Sequence, residues 1–91
     1  MQVKASHILV SSLNEANSVL SELHGGKSFE ELAKKYSSCP SGRDGGNLGF
    51  FGKGQMVGEF ETAAFSLDIG QVSGPIKTQF GYHLIKVTGK K

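Results

Sequence analysis

Cysteine is almost missing from this chain: Cys39 is its one sulfhydryl. That excludes an internal disulfide and a multi-cysteine zinc site. Long apolar runs are also missing. The first is only Ile8-Leu9-Val10, and none approaches the ~20 residues a membrane helix needs, so no membrane segment is expected. The sequence does not open with a charged-then-apolar leader, and the corresponding expectation is a cytoplasmic protein without a secretory signal. Charge of one sign is scarce as well. Ten Lys and Arg stand against eight Asp and Glu, for a net +2 and a pI near 8.8. A dedicated nucleic-acid binder clusters basic residues far more strongly, so no nucleic-acid partner is expected. There is no internal repeat. What is present is 91 residues, 37% hydrophobic and 20% charged. This is the composition of one globular domain over 1–91, with room for one core and a monomer as the default state.

Glycine is the excess. Thirteen of them are about twice the usual ~7%, and seven lie between Gly42 and Gly58. A flexible tether is one reading of such a stretch. Against it, Leu48, Phe50, Phe51, Met56 and Val57 are interleaved with these glycines, and a tether has no use for large apolar side chains. The segment reads as an ordered, tightly turned one in which Gly supplies positive φ and close backbone approach.

The periodicities give an element order of β-α-α-β-α-β-β. Residues 3–10 alternate as a strand, with Val3, Ala5, His7 and Leu9 on one face. Ser12 and Glu15 have capping-box spacing, and Leu13, Ala16, Val19, Leu20 and Leu23 form a helical stripe that Gly25-Gly26 stops. Ser28 and Glu31 repeat the device, ahead of Phe29, Leu32, Ala33 and Tyr36. This helix ends before Cys39-Pro40, because a residue preceding proline is pushed out of the helical region. Residues 47–51 fit a short strand and 59–67 a third helix, with Glu59 and Glu61 favourably placed at its dipole. Residues 72–78 and 81–88 read as two strands joined around Gln79-Phe80, and Gly89-Lys90-Lys91 as a solvated tail. The pattern predicts an α+β fold with helices packed on a mainly antiparallel sheet.

Two constellations bear on chemistry. His7 and His83 lie on apolar faces of the first and last strands. They are either two unrelated core histidines, each satisfied by a backbone carbonyl, or a pair that meets across neighbouring strands, where directly opposed Cβ atoms are ~4.5–5.5 Å apart. Cys39 adds a third group. A free cysteine is ordinarily a small buried residue. Its active alternatives are a nucleophile with a histidine base, a zinc ligand with both histidines, and a polar group that tunes a substrate's electrostatics. The chain has no local nucleophile signature and no H-x-x-x-H or C-x-x-C spacing, so no metal and no cofactor is expected. The second constellation is Leu48, Phe51, Met56 and Phe60. They are either plain core or an aromatic-and-methionine cup of the kind that forms an apolar binding pocket. The P-loop pattern G-x-x-x-x-G-K-[ST] does not occur in this glycine-rich segment, which argues against a phosphate cradle.

Four stretches, taken together, resemble one family. They are His7-Ile8-Leu9-Val10; Ser38-Cys39-Pro40-Ser41-Gly42 with Gly45-Gly46-Asn47-Leu48-Gly49-Phe50-Phe51; Gly54-Gln55-Met56-Val57-Gly58-Glu59-Phe60; and Gly74-Pro75-Ile76-Lys77-Thr78-Gln79-Phe80-Gly81-Tyr82-His83-Leu84-Ile85. Their order and spacing, from about Lys4 to Val87, resemble the parvulin-type peptidyl-prolyl isomerases, of the single-domain, stand-alone type. The resemblance implies a four-stranded antiparallel sheet surrounded by about four helices in the order β-α3-β-α-β2. The helix that periodicity does not show would fall near Pro40 to Arg43.

The resemblance also implies catalysis of cis/trans interconversion at Xaa-Pro bonds, with proline-containing polypeptides as partners and a role in protein folding. By the same likeness His7, Cys39, Thr78 and His83 line the centre of the site, Leu48, Met56 and Phe60 hold the proline ring, and Phe80 stands beside them. Members that select phosphorylated residues carry a basic cluster in a long loop after the first strand. Here that link is Ser11-Ser12-Leu13, with no basic residue between Lys4 and Lys27, so no phosphate preference is expected. Phe80 stands where some of those members have Ser, and Asn47 replaces a commoner Asp. Two readings remain beside the isomerase: a non-catalytic module that binds proline-containing segments, and a zinc or thiol enzyme built on His7, Cys39 and His83.

Overall fold

The computed structural model describes residues 2–38 and 40–91. Its elements run β1 (Val3–Val10), α1 (Leu13–His24), α2 (Phe29–Tyr36), a 3-10 turn (Pro40–Asp44), β2 (Asn47–Phe51), α3 (Gly58–Ser66), β3 (Ile76–Thr78) and β4 (Gly81–Lys90). The expected fourth helix is this single 3-10 turn. All strand pairings are antiparallel, in the order β2-β1-β4-β3, so the two ends of the chain supply the centre of the sheet.

Helices α1 and α2 start where their caps direct. The Glu15 N–H donates to Ser12 Oγ at 3.2 Å and the Glu31 N–H to Ser28 Oγ at 3.1 Å. Each bond satisfies one of the four backbone donors that a helix start leaves open. The reciprocal half of the first box is altered, because the Glu15 carboxylate also takes the Ser11 hydroxyl at 2.6 Å. Leu13, first in the expected stripe, remains 46% exposed, while Ala16 and Val19 are buried.

The room for a single core is divided in two by the sheet. On one face α1 and α2 bury Val19, Phe29 and Leu32 against Ile8, Val10 and Leu84. On the other, α3 buries Phe60 and Ala64 against Val3, Ala5, Ile85, Val87 and Phe51. The period of two along β1 and β4 makes this possible, since alternate residues feed opposite cores. Both faces of the central strands are thus dry, and a polar side chain placed there needs an internal partner.

Two boundaries differ from the sequence reading. The expected strand over 72–78 is confined to Ile76–Thr78, preceded by a lone bridge between Val72 and Lys86. Gly74 and Pro75 intervene, and proline has no N–H to give a ladder. The expected solvated tail is sheet: Gly89 and Lys90 pair with Lys4 and Val3, and Gln2 and Lys91 exchange backbone bonds of 2.7 and 2.9 Å.

Candidate active site

The α3 face of the sheet carries a cavity of about 400 Å³. Its floor is His7 and His83, and its walls include Leu48 from β2, Met56 from the β2–α3 loop, Phe60 from α3 and Phe80 from the β3–β4 turn. These come from six successive elements and connections of the chain, and the sheet order brings them together. Leu9, Gln55 and Val57 complete the lining. Phe51 does not line it. Its ring lies behind the wall at 2% exposure, packed at 5.9 Å on Phe60 and 6.2 Å on Phe65. Phe80 is the opposite case, 61% exposed at the rim. Cys39 lies outside the described residues.

The two histidines are neighbours, though not directly opposed. The register pairs His7 with Ile85 and Leu9 with His83, so the imidazoles meet on the diagonal. Their Nδ1 atoms are 3.0 Å apart and their rings stack at 5.2 Å, inclined by 17°. Phe60 presents its ring nearly perpendicular to both, at 5.5 Å from His7 and 5.4 Å from His83. On the far side, His83 Nε2 is 2.8 Å from Thr78 Oγ1, which also accepts the Phe80 N–H at 3.2 Å. The side chains of His7, Thr78 and His83 therefore form one hydrogen-bonded line across the sheet. Two proton arrangements satisfy it. Either Thr78 donates to His83, which donates to His7, or the sequence of donors is reversed.

Burial decides the charge on this line. It pushes the His7 pKa from 6.5 down to about 4, with the neighbouring His83 as the second cause. His83 is also lowered, by burial. Both rings are neutral at pH 7, and a bond between two Nδ1 atoms requires that at least one be unprotonated. Among the described residues that line the cavity there is no Lys, Arg, Asp or Glu. Among the described residues no group of three or more His, Cys, Asp or Glu side chains is placed to hold a metal ion.

A buried neutral relay under an apolar cup is suited to gripping a small ring and to changing the polarity around one neighbouring bond. The family model described as "Rotamase: PPIC-type PPIASE domain" matches residues 7–89. The chain belongs to the PpiC-type peptidyl-prolyl cis/trans isomerases. Foldase protein PrsA 2 of Bacillus cereus is 55% identical to it over 91 residues, which is 99% of this chain and 32% of that protein. The crystal structure of peptidylprolyl isomerase PrsA from Bacillus anthracis superimposes with a TM-score of 0.96 at 55% identity, over 99% of this chain and 42% of that one. The solution structure of NmPin, the parvulin of Nitrosopumilus maritimus, gives a TM-score of 0.87 at 50% identity over 97% of this chain and 96% of its own. The chain spans about a third of the length of the curated foldases that it matches. It carries the parvulin fold of this PpiC-type family: a four-stranded antiparallel sheet, three helices and a 3-10 turn.

Sequence reasoning did not single out Leu9, Gln55 or Val57 for the lining of this isomerase cleft. Leu9 had a signal: it shares a strand face with His7, two residues on. Gln55 had none in periodicity, because its part is conformational. Its Oε1 accepts the Gly52 N–H at 2.7 Å and closes the loop that presents Met56.

Proposed function

We infer that the protein to which this domain belongs accelerates rotation about Xaa-Pro bonds in flexible or unfolded segments, without covalent chemistry, and so assists folding. The foldase names of the PrsA relatives support the last step. The observation that carries the reading is the apolar cavity set directly over the His7–His83–Thr78 line.

The barrier to be lowered is ~18–20 kcal/mol and comes from amide resonance. In the twisted state conjugation is lost, the carbonyl becomes more ketone-like and the proline nitrogen becomes pyramidal. A site that binds this state better than either planar one lowers the barrier. Leu48, Met56 and Phe60 are placed to hold the pyrrolidine while the preceding carbonyl turns. The dry walls strengthen the nearby imidazole dipoles. Neutral, mutually bonded histidines hold the cavity floor without adding a charge that would favour the planar amide. In this scheme Cys39 acts as a polar neighbour of the substrate carbonyl and not as an attacking group, and Phe80 contacts the substrate from the rim.

The same geometry supports a substrate without phosphate before proline. Among the described residues that line the cavity none is Lys or Arg, and β1 passes to α1 through Ser11 and Ser12 alone. A phosphoryl group needs Arg or Lys to repay its desolvation.

A protease-coupled isomerisation assay over peptides that vary the residue before proline tests this. Turnover is expected with uncharged and apolar residues and is expected to be weakest with phosphoserine. An unchanged cis/trans rate with every peptide that binds would establish the non-catalytic binding module instead.

A further inference from the structure

Strand β1 has an accounting problem on its outer edge. His7 and Leu9 turn their backbone groups away from β4, toward the side on which β2 lies. Yet the pairing with β2 ends at Ser6 and Asn47. Buried backbone donors need partners, and here three loop groups supply the bonds. The His7 N–H donates to the Gly46 carbonyl at 2.9 Å, and the Ser38 N–H donates to the Leu9 carbonyl at 2.7 Å. The Leu9 N–H donates to a side chain, Ser37 Oγ, at 3.1 Å.

We propose that Ser37 is a positioning residue of the isomerase site, its hydroxyl standing in for the missing strand partner at Leu9. The inference rests on the isomerase reading. Leu9 lines the cavity and is the residue directly across the ladder from His83. Ser37 is itself fixed, because it ends α2 with its N–H bonded to the Ala33 carbonyl at 3.0 Å. Helix α2 is anchored by the buried Phe29, Leu32 and Ala33. The hydroxyl therefore ties one wall of the cavity to a helix on the opposite face of the sheet. It does so two residues before Cys39 in the sequence. Without it, Leu9 is free to shift relative to His83, and the twisted state loses complementarity that the planar states never used.

The test compares Ser37→Ala with Ser12→Ala. Both remove one serine hydroxyl that accepts one backbone N–H, the second at the start of α1 and remote from the cavity. With an apolar Xaa-Pro peptide, Ser37→Ala is expected to lower kcat about tenfold, the equivalent of ~1.4 kcal/mol, with KM within about twofold of the parent. Ser12→Ala is expected to leave kcat unchanged. Hydrogen exchange at the Leu9 amide is expected to accelerate in Ser37→Ala alone. Parental kcat in Ser37→Ala, equal losses in both variants, or unfolding of Ser37→Ala would each overturn the proposal. A parent without activity on any peptide would instead strike down the isomerase reading, and the inference with it.

Discussion

His7 and His83 meet on a diagonal of the β1–β4 ladder, with Nδ1 3.0 Å from Nδ1. The offset matters because it leaves His83 Nε2 facing Thr78 on the next strand. A directly opposed pair would be a closed unit, whereas the diagonal pair is the middle of a line. Its members depend on one another for protonation as well as for position.

Stability should depend on pH through this pair. His7 titrates at about 4 in the folded chain against 6.5 for an ordinary imidazole. Between those values the unfolded chain binds a proton that the folded one does not. Stability is therefore complete above pH 6.5 and falls as pH drops toward 4, by ~3 kcal/mol for His7 alone. His83, lowered by the same burial, steepens the fall. Urea midpoints measured from pH 4 to pH 8 check the slope. A His7→Asn variant should show a shallower one, and a flat profile in the parent would contradict the assignment.

Thr78→Val removes one oxygen from the line at nearly constant shape. The buried His83 Nε2 then loses its partner, at an expected cost of ~1–3 kcal/mol. Thr78→Ser keeps the hydroxyl and should stay within ~1 kcal/mol of the parent. Imidazole nitrogen shifts should move in the valine variant and not in the serine one.

Phe60→Leu separates grip from fold. The ring is 2% exposed and packs edge-on to both imidazoles. Its replacement is expected to cost ~1–3 kcal/mol and leave a folded protein. Isomerase kcat/KM should fall more than about tenfold, because the same ring walls the cavity and holds the relay. Retained turnover in a folded Phe60→Leu would remove Phe60 from the site.

Two glycines with the same backbone should respond differently to alanine. Gly54 has a φ of +88° and nothing within 4 Å of an added Cβ. The cost there is the left-handed backbone alone, ~1–2 kcal/mol. Gly46 has a φ of +84°, and its Cβ would lie 2.3 Å from the His7 carbonyl oxygen. Gly46→Ala must displace β1 at His7 and should cost more than ~4 kcal/mol. Equal thermal midpoints for the two variants would refute the close approach.

Cys39→Ser should retain measurable isomerisation, since rotation about an amide requires no attack on carbon. Loss of all turnover in both Cys39→Ser and Cys39→Asp, with folding intact, would favour a thiolate nucleophile.

Local chemistry made the helices legible. Ser12 and Ser28 accept the N–H groups that their spacing assigns to them, and residues 47–51 form the expected strand inside the glycine-rich segment. The motifs carried the choice of Leu48, Met56, Phe60 and the two histidines, and the fold gathers all five at one cavity. What escaped depends on register and on distant partners. No pattern in Gly89-Lys90-Lys91 favours a strand, and they pair only because Gln2, Val3 and Lys4 lie beside them. The run of large apolar residues among the glycines placed Phe51 with the cup, but such a grouping cannot tell a cavity wall from the layer behind it. The diagonal meeting of His7 and His83 is set by how β4 slides along β1, which neither strand encodes alone.

The mutual bonds between Gln2 and Lys91 hold these two exposed residues side by side on the surface. Any sequence joined at both ends would enter and leave side by side, and the unit can be spliced into a larger host at a single seam without bending either strand. By the same geometry, a circular permutant joined across that seam and reopened near Lys53, exposed in the β2–α3 loop, keeps every central β1–β4 bond and with them the histidine relay.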